Sequence, residues 1–129
     1  MLTDIAYNAI IALGLVPDDH VNVGTIINPD STGKPVIDIT VNPAKPEDVT
    51  QTGIISVTTP LAIHCVAATR TEAWNVVRQA ALAVYQKFTA LERQPKSGIY
   101  CITFGEYLVA PIQDRTEFHA HVAFNILHK

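Results

Sequence analysis

The sequence predicts an α+β fold, a mixed or antiparallel β-sheet packed by one long amphipathic helix and a short N-terminal helix, with a C-terminal β-hairpin. Three observations lead there. Residues 69–91 carry apolar side chains at helical spacing, residues 116–127 alternate with a period of two, and 129 residues at 48% hydrophobic content hold one core. A chain of that length buries roughly two thirds of its unfolded surface, so residues 1–129 read as a single α+β domain.

The helix comes first, because the sheet must supply the surface it lies on. In Thr69–Leu91, the residues Ala73, Val76, Val77, Ala80, Ala81, Val84, Tyr85, Phe88 and Leu91 fall on one face at i, i+3, i+4 and i+7 steps. Glu72, Asn75, Arg78, Gln79, Gln86 and Lys87 take the other. Thr69 and Glu72 have the spacing of a capping box, and Pro95 with Gly98 stops the run.

At the N-terminus, Leu2, Ile5, Ala6, Ala9, Ile10 and Leu13 give a short helix one apolar face; Thr3 is its expected cap and Gly14 its end. Its apolar run has about ten residues, with Asp4 inside and no Lys or Arg ahead, which fits neither a signal peptide nor a membrane span. Val21–Ile26 then reads as a strand, Asn28–Gly33 as a turn, and Ile37, Ile39 and Val41 as the buried face of a second strand whose Asp38 and Thr40 are wet. Pro43 and Pro46 predict an exposed loop over residues 42–52. Gly53–Ala68 is rich in β-formers, and Pro60 is expected to bend or divide it. Both faces of Leu61–Ala68 are largely apolar, so this piece is expected to be central and covered on both sides. Gly98–Ala110 is a strand with a bulge at Gly105, and Gln113–Arg115 a turn. In the last strand Phe118, Ala120, Val122, Phe124 and Ile126 face inward, while Glu117, His119, His121 and Asn125 face outward.

Composition narrows the partners. Net charge is −3 and charged residues make up 16%, so no basic footprint for sequence-specific nucleic-acid binding exists and no polybasic tail for a membrane surface. Cys65 and Cys101 sit in separate apolar runs without a CxxC partner, which reads as buried free thiols in a reducing compartment.

The chemistry-bearing residues are few. His119 and His121 share a strand face and Glu117 lies beside them, a geometry open to a metal pair. No second compact cluster completes a coordination sphere, and an outward strand face alternates polar residues in any case. His64 could act as a ligand or base, but a hydrogen-bonded histidine near the strand surface is the preferred reading. His64 and Cys65 are adjacent on a strand and point to opposite faces, so they cannot cooperate. The chain lacks GxSxG, GxxxxGK[ST] and GxGxxG. Asp18-Asp19 and Glu47-Asp48 sit in predicted loops with nothing to raise a carboxyl pKa. The residues thus offer no positive sign of an enzyme, a metal site or a cofactor.

The order of elements, with Arg70-Thr71-Glu72-Ala73 opening the long helix and Phe118-His119-Ala120-His121-Val122-Ala123-Phe124 in the closing strand, resembles the tail-terminator (tail-completion) proteins of long-tailed bacteriophages and prophages. The resemblance covers most of the chain and rests on architecture and length. It implies a structural virion protein located in the virion tail and assembled in the host cytoplasm. Its partners would be its own copies in a six-membered ring, the tail tube protein and the head–tail connector protein. The ring would cap the tube, end its polymerisation and provide the surface for head–tail joining. The polar segments best placed to touch the tube or connector are Lys45, Glu47 and Asp48 in the first predicted loop and Gln113, Asp114 and Arg115 in the second. Two other classes remain open. One is a head-completion or neck protein, and the other a small metal-dependent cytoplasmic enzyme or binder using His64, His119, His121 and Glu117.

Overall fold

The computed structural model describes residues 2–24, 35–50, 53–106, 112–114 and 116–129. Two helices, α1 (Leu2–Ile11) and α2 (Arg70–Glu92), lie on one face of a mixed sheet. Its strands are β1 (Val21–Val23), β2 (Val36–Val41), β3 (Lys45–Thr50), β4 (Gly53–Ala67), β5 (Ile99–Glu106), β6 (Ile112–Asp114) and β7 (Glu117–His128). The lateral order is β1-β2-β4-β7-β5, with β3 added beside β4 and β6 beside β7. β1 runs parallel to β2, and every other pairing is antiparallel. The α+β class, the long helix and the closing antiparallel strands are therefore as the sequence predicts.

α2 forms where the periodicity places it. Thr69 is the N-cap, and its hydroxyl accepts the Glu72 N–H at 3.2 Å. The return bond of a full capping box is not made by Glu72 Oε1, which is buried with no hydrogen-bond partner among the described residues. Ala73, Val76, Val77, Ala80, Ala81, Val84 and Phe88 are buried, and Tyr85 and Leu91 pack partly against the same core. Beyond α2, the Ser97 hydroxyl donates to Leu91 O and accepts the Ile99 N–H, turning the chain into β5. Gly98 makes that turn with φ +77°, a backbone region costly to any residue with a Cβ.

α1 differs in detail. The helix already includes Thr3, so Thr3 does not cap it, and Leu2, Ala6 and Ile10 make its buried face. The chain leaves α1 through Gly14 at φ +65°, and Leu13, expected inside, is exposed. A 3₁₀ turn, Asp18–His20, then leads into β1 and is tied to the start of β2 where His20 Nδ1 meets Pro35 O at 3.1 Å. The turn expected at Asn28–Gly33 lies outside the described residues.

β4 is one continuous strand of 15 residues, which corrects the expected division at Pro60. β7 pairs along it from Val57 to Ala67. On the other side, β3 covers Gly53–Thr58 and β2 covers Leu61–Val66, so Pro60 falls at the junction between the two. Its carbonyl accepts the Asn42 N–H on that side, at 3.0 Å. A residue's carbonyl and nitrogen face the same neighbour in a strand, so the missing N–H points into the junction and costs the β4–β7 ladder nothing.

The predicted loop over 42–52 is also corrected, since Lys45–Thr50 is strand β3. β3 is paired only on its β4 side among the described residues, a position that tolerates Pro46. The register slips twice: Glu47 is the extra residue between the pairs Pro46–Val57 and Asp48–Ser56, and Ile55 is the extra residue on β4 before Ile54–Val49.

The core is single. Ile37 and Ile39 of β2, Leu61, Ile63 and Cys65 of β4, and Val122, Phe124 and Ile126 of β7 meet the two helices, all at 0% exposure. Among the described residues helices cover only this face, so β4 is not sandwiched there as its composition suggested. Opposite, Ala62 and His64 are half-buried and Val66 is buried. The bulge expected at Gly105 is present as a register shift between Phe104 and Glu106.

Candidate functional site

The face of the sheet away from the helices gathers the imidazoles. Register places Asp38 of β2 directly opposite His64 of β4, and His64 directly opposite His121 of β7, so the three form a row across the sheet. His119 stands one step along β7 on the same face, opposite Val66. His64 Nε2 and His119 Nδ1 are 3.0 Å apart, with ring centroids at 5.1 Å. On its far side, His119 Nε2 lies 3.4 Å from Glu117 Oε2.

The ring-to-ring contact links the two strands through their side chains. Glu117 approaches His119 Nε2 only as a charge at 3.4 Å, so among these three side chains the hydrogen bond is that between the two rings. One proton lies between His64 Nε2 and His119 Nδ1, so one ring donates and the other accepts. Burial first, then the neighbouring His119 and His121, push the His64 pKa below its usual range, which keeps this ring neutral.

Sequence parity put His119, His121 and Glu117 on one face, and they are there. His64, joined to them in the sequence only by the rival metal-dependent reading, stands with them, and Asp38, expected on a wet face, is buried at 5% exposure. The available signal was parity alone: each polar residue occupies the strand positions opposite to the core set. Which strands are neighbours, and at what offset, is not written in any one segment. Among the described residues, no group of three or more His, Cys, Asp or Glu side chains is arranged to hold a metal ion. The face joins two imidazoles by one hydrogen bond, His64 to His119, beside Asp38 and His121 in register.

Cys65 shares β4 with His64 but points into the core, fully buried, where desolvation and then Glu72 push its thiol up to about 12. It is inert as a nucleophile. Cys101 is also free but only half-buried, so the expectation of two fully buried thiols holds for one.

The six residues predicted to touch partners separate into two groups. Lys45, Glu47 and Asp48 lie on β3, beside the N-terminal half of β4. Gln113 and Asp114, expected in a turn, lie on the short strand β6 beside the beginning of β7; Arg115 lies outside the described residues. β3 flanks β4 on the β2 side and β6 flanks β7 on the β5 side, at opposite ends of the β4–β7 ladder. Eleven residue pairs make up that ladder, so the two groups sit at diagonal corners of the sheet, roughly 30 Å apart at strand rise. They form two surfaces.

A third feature lies beside α2. An open groove of about 680 Å³ is lined by Arg78, Gln79, Leu82, Tyr85 and Phe104, among others. Tyr85 and Phe104 stack with ring centroids 5.4 Å apart, and Phe104 reaches Phe124 of the core at 5.0 Å. Arg78 lies over the Trp74 ring at 5.6 Å. No helix among the described residues is long and apolar enough to cross a membrane. Compared with known proteins, the chain matches no protein-family model and no curated protein.

Proposed function

We propose that this chain is a structural virion subunit of the tail-terminator kind, which acts by assembly and not by catalysis. Copies form a ring, six-membered by the resemblance, that caps the tail tube, ends its polymerisation and presents a surface to the head–tail connector. One observation carries the reading: a single sheet holds two polar strand segments at opposite ends of its longest ladder. A subunit between tube and connector must make two different contacts along one axis, and a ladder of that length separates them without a hinge. Lys45, Glu47 and Asp48 on β3 serve one contact; Gln113 and Asp114 on β6, with Arg115 next in sequence, serve the other.

The test uses purified tail tubes and the full chain. Capped tubes stop elongating when fresh tube protein is added, and their length distribution stays narrow in electron micrographs. Replacing Lys45, Glu47 and Asp48 with Ser, or Gln113, Asp114 and Arg115 with Ser, leaves oligomeric mass unchanged. Each triple variant loses one contact, either tube capping or connector binding. Tubes that elongate freely in the presence of the wild-type chain overturn the reading. A chain that binds the connector but never the tube moves it to the neck class.

A further inference from the structure

Among the described residues, six large apolar side chains remain exposed, and five of them stand at two opposite edges of the fold. Leu82 of α2 is 56% exposed and lines one groove with the exposed Phe104 of β5, and Tyr100 of β5 is exposed on the same edge strand. At the α1/β1 edge, Val23 is 41% exposed and Leu13 stands in the turn that follows α1. α1 packs over β1 and β2, and α2 over β4, β5 and β7, so each helix belongs to one edge.

Charge differs between the edges in the same sense. Arg78 lines the groove at the α2/β5 edge, whereas Asp18 and Asp19 are exposed in the 3₁₀ turn immediately before β1. At β5, the Ile102 N–H is already taken by Glu92 Oε1 at 2.6 Å, which blunts strand addition there and leaves side-chain docking as the mode of contact.

We propose that the groove between α2 and β5 receives the α1/β1 edge of a second copy of this chain, with Val23 and Leu13 packing on Leu82 and Phe104 and the Asp18-Asp19 pair facing Arg78. The two surfaces differ, so the contact is head-to-tail and repeats from copy to copy. That it closes into a ring rests on the terminator reading; the contact itself does not.

Light scattering over a concentration series, on wild type and on Leu82→Glu and Val23→Glu, tests this. Both substitutions are at exposed positions, and circular dichroism with thermal melting checks that each variant folds. Wild type shows a mass that is a multiple of the 14.0 kDa chain. Each variant alone falls to a single chain, since one of its two edges is blocked. Mixed one to one, they form a species of two chains and no larger, because each retains the edge the other lacks. Arg78→Glu raises the assembly midpoint roughly two- to fivefold, as expected of a rim ion pair, and adding Asp18→Lys with Asp19→Lys restores it. A wild type that remains a single chain throughout, or variants that assemble as wild type does, overturns the proposal. Val23→Glu forming pairs by itself would also overturn it, since that requires a two-fold contact. Assembly that follows this pattern without tube capping would keep the interface and refute the terminator reading; capping by rings that ignore these substitutions would do the reverse.

Discussion

His64 and His119 are 55 residues apart in the chain and share one hydrogen bond, Nε2 to Nδ1 at 3.0 Å, across the β4–β7 ladder. Glu117 lies on the far side of His119, with Oε2 3.4 Å from Nε2, so three side chains from two strands meet on one face. His64 is the member whose neutral form the fold favours.

That preference has a sign. The folded-state pKa of His64 lies below its ordinary 6.5, so between the two values the unfolded chain binds more protons than the folded one. Stability therefore rises with pH through that window and is lost as pH falls below about 6.5. His64→Gln keeps an N–H donor and removes the titration. The expected result is a smaller drop in melting temperature between about pH 7.5 and pH 5.5 than wild type shows. An equal drop would place the acid sensitivity elsewhere.

Phe88 and Leu82 lie on the same helix, one on its buried side and one on its exposed side. Phe88 is fully buried against the sheet, while Leu82 is mostly in solvent. Phe88→Ala should cost about 3–5 kcal/mol, the loss of transfer energy plus a cavity. Leu82→Ala should stay within about 0.5 kcal/mol for the isolated chain. Urea unfolding at concentrations where the chain is monomeric compares them directly; similar midpoints would contradict the assigned faces of α2.

The N-cap of α2 is a single hydroxyl, with Thr69 accepting the Glu72 N–H at 3.2 Å. Thr69→Ala should cost about 1 kcal/mol, a lowering of the melting temperature by about 4 °C for a chain of this size. Thr69→Ser should recover most of it. If Ser melts with Ala, the stabilisation belongs to the β-branch and not to the cap.

The two thiols should separate by reactivity. Cys65 is fully buried with its pKa pushed up to about 12, and Cys101 is half-buried near the surface of β5. A disulfide reagent at about pH 8 should modify Cys101 in the native protein and reach Cys65 only after denaturation. Rapid native reaction at Cys65, read by mass spectrometry of the peptides, would show that β4 opens locally.

Local pattern in the sequence settles several elements of this protein. The apolar stripe of α2, its cap at Thr69, the inward face of β7 and the bulge at Gly105 all depend on residues within a few positions of each other. Helical and strand periods act over that range, so α+β class and the two closing strands are legible before any contact is known. Prolines misled for a related reason. Pro46 and Pro60 each forbid one backbone hydrogen bond, but the cost depends on whether a neighbour needs that donor. Pro46 lies on a flanking strand and the nitrogen of Pro60 faces the junction of β2 and β3, so neither breaks a strand. Non-local pairing decides the rest. Alternation states which face Asp38, His64 and His121 occupy, and only the burial of the whole core face selects β2 and β7 as neighbours of β4 in a register that aligns them. The same selection sends β3 and β6 to opposite corners and leaves apolar side chains at two edges, so the surfaces proposed for assembly arise from how the strands are ordered.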